Sequence, residues 1–141
     1  MNNSNFQMAI ISEENPSFCS LIPATREERK TLMNAIDNPT HKLSEFINME
    51  IEFSNVYMSK AVIYEKDDAG NPIPDSEKEV IKTILIMPDG QSIMTHSNSV
   101  VKSLYTMFQI FGMPNEWEEP MRCLVKQVDF GKNRMFKLEV I

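Results

Sequence analysis

Residues 119–141 carry five cations, Arg122, Lys126, Lys132, Arg134 and Lys137, against three acids, Glu119, Asp129 and Glu139, and Phe130 and Phe136 interleave with them. Cations follow the phosphates of a nucleic-acid strand and aromatic faces stack its unpaired bases, each stack contributing about 1 to 3 kcal/mol. A charged strand face can equally be the solvated face of any sheet. The contrast along the chain speaks for a site, because residues 41–80 carry four lysines against nine acids, so the positive field is concentrated near the end. Further residues of suitable type are Tyr57, Lys60 and Tyr64, the last beside Lys66, then Lys82, with Ser92 and Met94 further on. Phe53 and Phe108 belong to apolar stripes and are expected in a core.

Catalytic chemistry finds little support in the residue pattern. His41 and His96 are far apart in sequence, and His96 stands just before a helix start, where a structural role is expected. Cys19 and Cys123 fall in no metal-ligand spacing, make no disulfide framework and are expected to be reduced. The acidic stretch 65–75 lacks the ligand spacing and closing glutamate of an EF-hand, and no glycine-rich phosphate loop exists. No enzyme activity, cofactor or metal is therefore expected.

A chain of 141 residues with 42% apolar residues is about one domain with room for a real core. Its net charge of −6 argues against indiscriminate adhesion to nucleic acid or membranes, though not against one local basic patch. The sequence shows neither a long apolar run nor a basic start followed by an apolar stretch, so a cytoplasmic protein without membrane span or signal peptide is expected.

The elements that must position these residues follow from periodicity. Residues 1–23 read as an N-terminal tail whose Phe6, Met8, Ile10, Ile11 and Phe18 are too many large apolar residues for a disordered segment. It is expected to dock, on its own domain or on a neighbouring subunit. Residues 24–40 hold a short helix, opened by the capping box Thr25 to Glu28 and carrying Leu32, Met33 and Ile36 on one side. It reads as an appendage. From Phe46, Ile47, Met49, Ile51 and Phe53 alternate with polar residues, and after Ser54-Asn55 the alternation slips by one, as in a bulged or sharply bent strand. A polar loop follows. Thr83–Met87 and Gln91–Thr95 form a hairpin about Asp89-Gly90, for which a type I′ turn is expected. Val100, Val101, Leu104, Met107, Phe108 and Phe111 mark one side of a helix that begins near Ser97 and ends at Gly112. Strands 121–130 and 133–141 surround a turn at Gly131.

Long curved strand, strand, strand, helix, strand, strand over residues 41–141 predicts an all-β fold with one inserted helix. The specific expectation is a five-stranded OB-fold Greek-key barrel with its helix between strands three and four, plus the N-terminal tail and short helix. An α+β layer packing is the alternative. Trp117, in the loop 114–120, is expected to plug an end of the barrel. That fold binds oligonucleotides on strands two and three and on the loop between strands four and five, which is where the basic cluster falls.

The patterns TILIMPDGQSI, SVVKSLYTMFQIFG and VKQVDFGKNRMFKLEVI resemble those of small OB-fold single-stranded DNA-binding proteins of bacteriophages and conjugative plasmids. The resemblance covers about the last half of the chain and, with the tail, would suit an enterococcal conjugative-plasmid member. It implies a sequence-tolerant binder of single-stranded DNA, or of single-stranded RNA, that coats strands during transfer or replication and forms a homo-oligomer through its tail. The competing expectation is a protein-interaction module whose eleven methionines suit adaptable interfaces.

Overall fold

The computed structural model describes residues 18–131 and 133–141, without the side chains of Phe130, Asn133 and Arg134. In chain order the elements are β1 (Phe18–Cys19), α1 (Arg26–Asp37), β2 (His41–Lys42), β3 (Glu50–Phe53), β4 (Asn55–Ile63), β5 (Lys78–Ile86), β6 (Ser92–Thr95), α2 (Asn98–Phe111), β7 (Met121–Phe130) and β8 (Asn133–Val140). The strands form two open sheets, of order β1-β4-β5-β6-β2 and β3-β7-β8. A mostly β chain with two α-helices among the described residues is compatible with a small barrel-like fold.

β3 and β4 are one strand bent at Ser54. On β3 the inward residues are Ile51 and Phe53, and on β4 they are Val56 and Met58, so the side-chain phase changes by one residue at the bend. Keeping apolar side chains inward while the strand leaves one sheet for the other requires that change. The Ser54 amide bonds the Ile86 carbonyl at 2.8 Å, which ties the bend to the end of β5. The sequence slip at Ser54-Asn55 therefore marks the point where the two sheets separate.

The space between the sheets is filled by these residues, by Leu85 and Ile93, by Cys123, Val125 and Leu138, and by Val100, Leu104 and Phe108 of α2. Each large apolar side chain so buried contributes about 1.5 to 3 kcal/mol. α2 ends as its sequence requires: Gly112 takes φ 84° and its amide bonds the Phe108 carbonyl at 3.0 Å. Trp117 packs at 5.8 Å from the Phe53 ring and donates through Nε1 to the Gly112 carbonyl, closing one end of the core.

Several expectations are corrected. The first strand does not run from Phe46: residues 43–46 form a 3-10 turn, and Asn48 takes φ 65°, so pairing starts at Glu50. Asparagine tolerates that conformation, and its amide bonds the Val125 carbonyl. The Asp89-Gly90 turn is not type I′, since only Gly90 of the pair has positive φ. The Gly90 amide bonds the Met87 carbonyl, and the Met87 amide bonds the Gln91 carbonyl. Pro88 fixes the φ of a type I turn, and Gly90 completes the hairpin as a bulge. Ser97 stands at the N-cap of α2 without capping through its side chain, because its Oγ bonds Ser99 Oγ at 2.7 Å. Phe111, on the apolar side of α2, is 49% exposed.

α1 forms with the expected Thr25 to Glu28 capping box. It is not an appendage. Ala35 and Leu32 pack with Ile84, Ile86, Tyr57 and Met94 in a second apolar cluster on the outer face of the five-stranded sheet, while Met33 is 65% exposed. Phe18, expected among the contacts between subunits, is instead in the chain's own core, paired with Met58 and 5.7 Å from Phe108. Phe6, Met8, Ile10 and Ile11 lie outside the described residues.

Candidate nucleic-acid interface

Two outer sheet faces hold the residues selected from the sequence. On the five-stranded sheet, Tyr57, Ile84 and Met94 stand side by side across β4, β5 and β6. This row is where strand aromatics would meet bases. Here α1 covers it, and its carbonyls are bound from below: Lys82 Nζ donates to the Ile36 carbonyl at 2.8 Å and Ser92 Oγ to the Ala35 carbonyl at 2.9 Å. A lysine at a helix C-terminus satisfies a free carbonyl and faces the negative end of the helix dipole. Lys82 and Tyr57 thus serve α1 in this structure, and Ser92 is fully buried. The expected binding face of these three residues is corrected to an internal interface.

Lys60 and Tyr64 lie towards the far end of the β4–β5 hairpin. Lys60 pairs with Glu79 at 3.5 Å, and Tyr64 is exposed beside the acidic loop, where Asp67 accepts from the amides of Ala69 and Asn71. Both belong to the five-stranded sheet and its loop, apart from the cations of β7 and β8.

On the three-stranded sheet, antiparallel register puts Lys126 opposite Lys137, Arg122 opposite Glu52, and Leu124 between Glu50 and Glu139, all on the outer face. The structure puts Arg122, Lys126 and Lys137 on that one face, Lys126 and Lys137 directly opposite each other and Arg122 near the start of β7, beyond the row of Glu50, Leu124 and Glu139. Arg122 bonds Glu50 at 3.1 Å and Lys126 bonds Glu139 at 2.7 Å. Such exposed pairs contribute little to stability, so their cations can exchange a carboxylate for a phosphate at small cost. Lys132 lies outside the described residues, as do the side chains of Phe130 and Arg134. Phe136 is corrected: it points to the inner side, packs against the core, and its carbonyl accepts from Ser99 Oγ at 2.6 Å. Stacking on Phe136 would require it to leave the core.

The sequence reading missed three groups: Glu50 and Glu139, which hold the cations; Ala35, whose small side chain lets α1 approach the sheet; and Ser99, which ties α2 to β8. The carboxylates carried a signal, since on a strand a residue two positions from a cation shares its face, as Glu139 does with Lys137. Ala35 and Ser99 carried none.

The titratable groups are set by burial and local bonds. Burial pushes the Cys123 thiol up to about 12 and raises that of Cys19, which donates to the Leu21 carbonyl, so both remain protonated thiols. His41 is raised, chiefly by its bond to Gln91, at 2.9 Å, and further by Glu45. His96 is lowered by burial and then by the charge of Lys82. Among the described residues no three His, Cys, Asp or Glu side chains are grouped to hold a metal ion, and no helix is long and apolar enough to cross a membrane.

No family model matches this chain, and neither does any curated protein or solved structure.

Proposed function

We propose that the chain is a sequence-tolerant single-stranded DNA-binding protein built on an OB-type barrel, of the kind found in bacteriophages and conjugative plasmids. The observation that carries this reading is that Arg122, Lys126 and Lys137 share one sheet face, left open by the described residues, in a bent-strand topology. β3–β4 serves as the first barrel strand, β5 and β6 as the second and third, and β7 and β8 as the fourth and fifth, with α2 between third and fourth. The strand would lie along the outer face of β7 and β8 towards Gly131, its phosphates displacing Glu50 and Glu139. Chains would assemble along it through residues 1–17, and linking weak sites in this way raises affinity without new contacts. No covalent step is involved, and the protein serves in the cytoplasm during DNA transfer or replication.

Fluorescence anisotropy of a labelled oligothymidylate, titrated at several salt concentrations, tests this reading. The expected result is binding that weakens with salt, at a log-log slope of roughly −0.7 per phosphate contacted, and weaker binding of a duplex. Absence of binding at low salt by the folded protein would overturn it.

One observation favours a second reading, a protein-interaction module without nucleic acid: Lys60, Arg122 and Lys126 all already have carboxylate partners in a chain of net charge −6.

A further inference from the structure

The three-stranded sheet ends at β8, whose one strand neighbour among the described residues is β7. The Phe136 carbonyl accepts from Ser99 Oγ and so points away from β7. Residues two apart on a strand share that direction, so Leu138 and Val140 turn their backbone amides and carbonyls to the same open edge. Such an edge is a template for another strand.

Beside this edge runs a groove of about 570 Å³ between α2 and β8. Met107, Ile110 and Phe111 of α2 line it together with Met135 and Val140 of β8. Ile110 is 70% exposed, and Phe111, Met135 and Val140 are each more than one-third exposed, a concentration of uncovered apolar side chains. The charges around it run against those of the molecule. Among the described residues, Lys102 and Lys137 line the groove and no Asp or Glu does, although the chain as a whole carries −6.

We propose that this groove binds an extended acidic peptide segment of another protein, which adds to the open edge of β8 as a fourth strand. The register dictates its chemistry. Along such a strand alternate side chains would face Ile110 and Phe111, so they are apolar, and on the outer face the position beside Lys137 favours a carboxylate, while Glu139, two residues further along that face, is already held by Lys126. A second copy of this chain pairing edge to edge would set Lys102 and Lys137 against their own counterparts, which like-charge repulsion disfavours. The chain's own start fits the pattern less well, since Met8, Ala9, Ile10 and Ile11 form a continuous apolar run and Glu13-Glu14 follows it. The inference holds whether or not the outer face of the sheet binds nucleic acid.

The test is anisotropy of a fluorescein-labelled synthetic peptide that alternates glutamate with isoleucine, titrated with the full chain, alongside a peptide with lysine in place of glutamate. The expected result is binding of the glutamate peptide, weakened about tenfold or more by Ile110→Asp, as when a large apolar side chain is removed from an interface. Lys137→Glu should weaken the glutamate peptide and strengthen the lysine one. Ile110 is largely exposed, and matching circular dichroism melts would show that the variants fold. The proposal is overturned by absence of binding, or by binding indifferent to both substitutions. It is equally overturned if the peptide binds only after Ile10→Asp with Ile11→Asp, which would make the chain's own start the occupant. Self-association of the wild type that Ile110→Asp abolishes, without peptide binding, would assign the groove to a second copy and overturn it too.

Discussion

The outer faces of the two sheets are built from similar strands and have opposite fates. On the five-stranded sheet the outward row Tyr57, Ile84 and Met94 is apolar, and α1 lies over it with Leu32 and Ala35. On the three-stranded sheet the outward rows alternate charge, and Glu50 with Arg122 and Lys126 with Glu139 form a solvated lattice that none of the described residues covers. The difference lies in what each face costs to expose. Uncovering the first returns apolar surface to water and leaves Lys82 and Ser92 without the helix carbonyls they bind. The second has no such cover among the described residues, so exposing it costs nothing there. Of the two, the outer face of β7 and β8 is therefore the one that stands ready as a surface.

The sharpest way to break this comparison is to place one charge on each face. Ala35→Asp sets a carboxylate between α1 and Ile84, and is expected to destabilise the protein by about 3 kcal/mol in urea unfolding. Lys126→Ala, on the open face, is expected to cost less than about 1 kcal/mol. Equal costs would mean that α1 is not part of the folded unit. On the nucleic-acid side the ranking reverses: Lys126→Glu with Lys137→Glu should weaken oligothymidylate binding and flatten its log-log salt slope by about 0.7 for each phosphate no longer bound.

A smaller effect tests the inner face. Thr83 is fully buried between Met58 and Thr95, and its hydroxyl has no hydrogen-bond partner. Thr83→Val is expected to raise stability by about 1 kcal/mol, read as a higher midpoint in urea with an unchanged slope.

The smallest effect is a pair of titrations. By NMR, His41 should titrate above the ordinary histidine value and His96 below it, and Gln91→Ala should bring His41 back down. The raised His41 favours the folded state below its unfolded-state pKa, and this is lost as pH rises through the folded value. The lowered His96 acts oppositely: its contribution is present above the unfolded value and lost as pH falls through the folded one.

The elements legible in the sequence are those with a period or a punctuating residue. The slip at Ser54-Asn55, the Thr25 to Glu28 capping box and the stop at Gly112 each state a local geometry, and the chain adopts it. Two-residue pairings have no period to read, so β1 and β2 could not be found that way. The placement of α1 was hidden for another reason. Its buried contact depends on Ala35, the smallest side chain on that side, whereas the large Met33 suggested a different inward face and is exposed. At the candidate site, residue type named the cations, but register decides which of them share a face: Arg122, Lys126 and Lys137 do, while Phe136 is turned to the core by the same two-residue alternation.

The most direct test of the account is a map of backbone amide shifts as oligothymidylate is added to the isotope-labelled protein. Shifts confined to the outer-face residues of β7 and β8 and the turn between them, with α1, Ile84 and Met94 unmoved, are the predicted result. Shifts centred on α1 and the row beneath it would contradict the account, because they would mean that the covered face opens to bind and the open one does not.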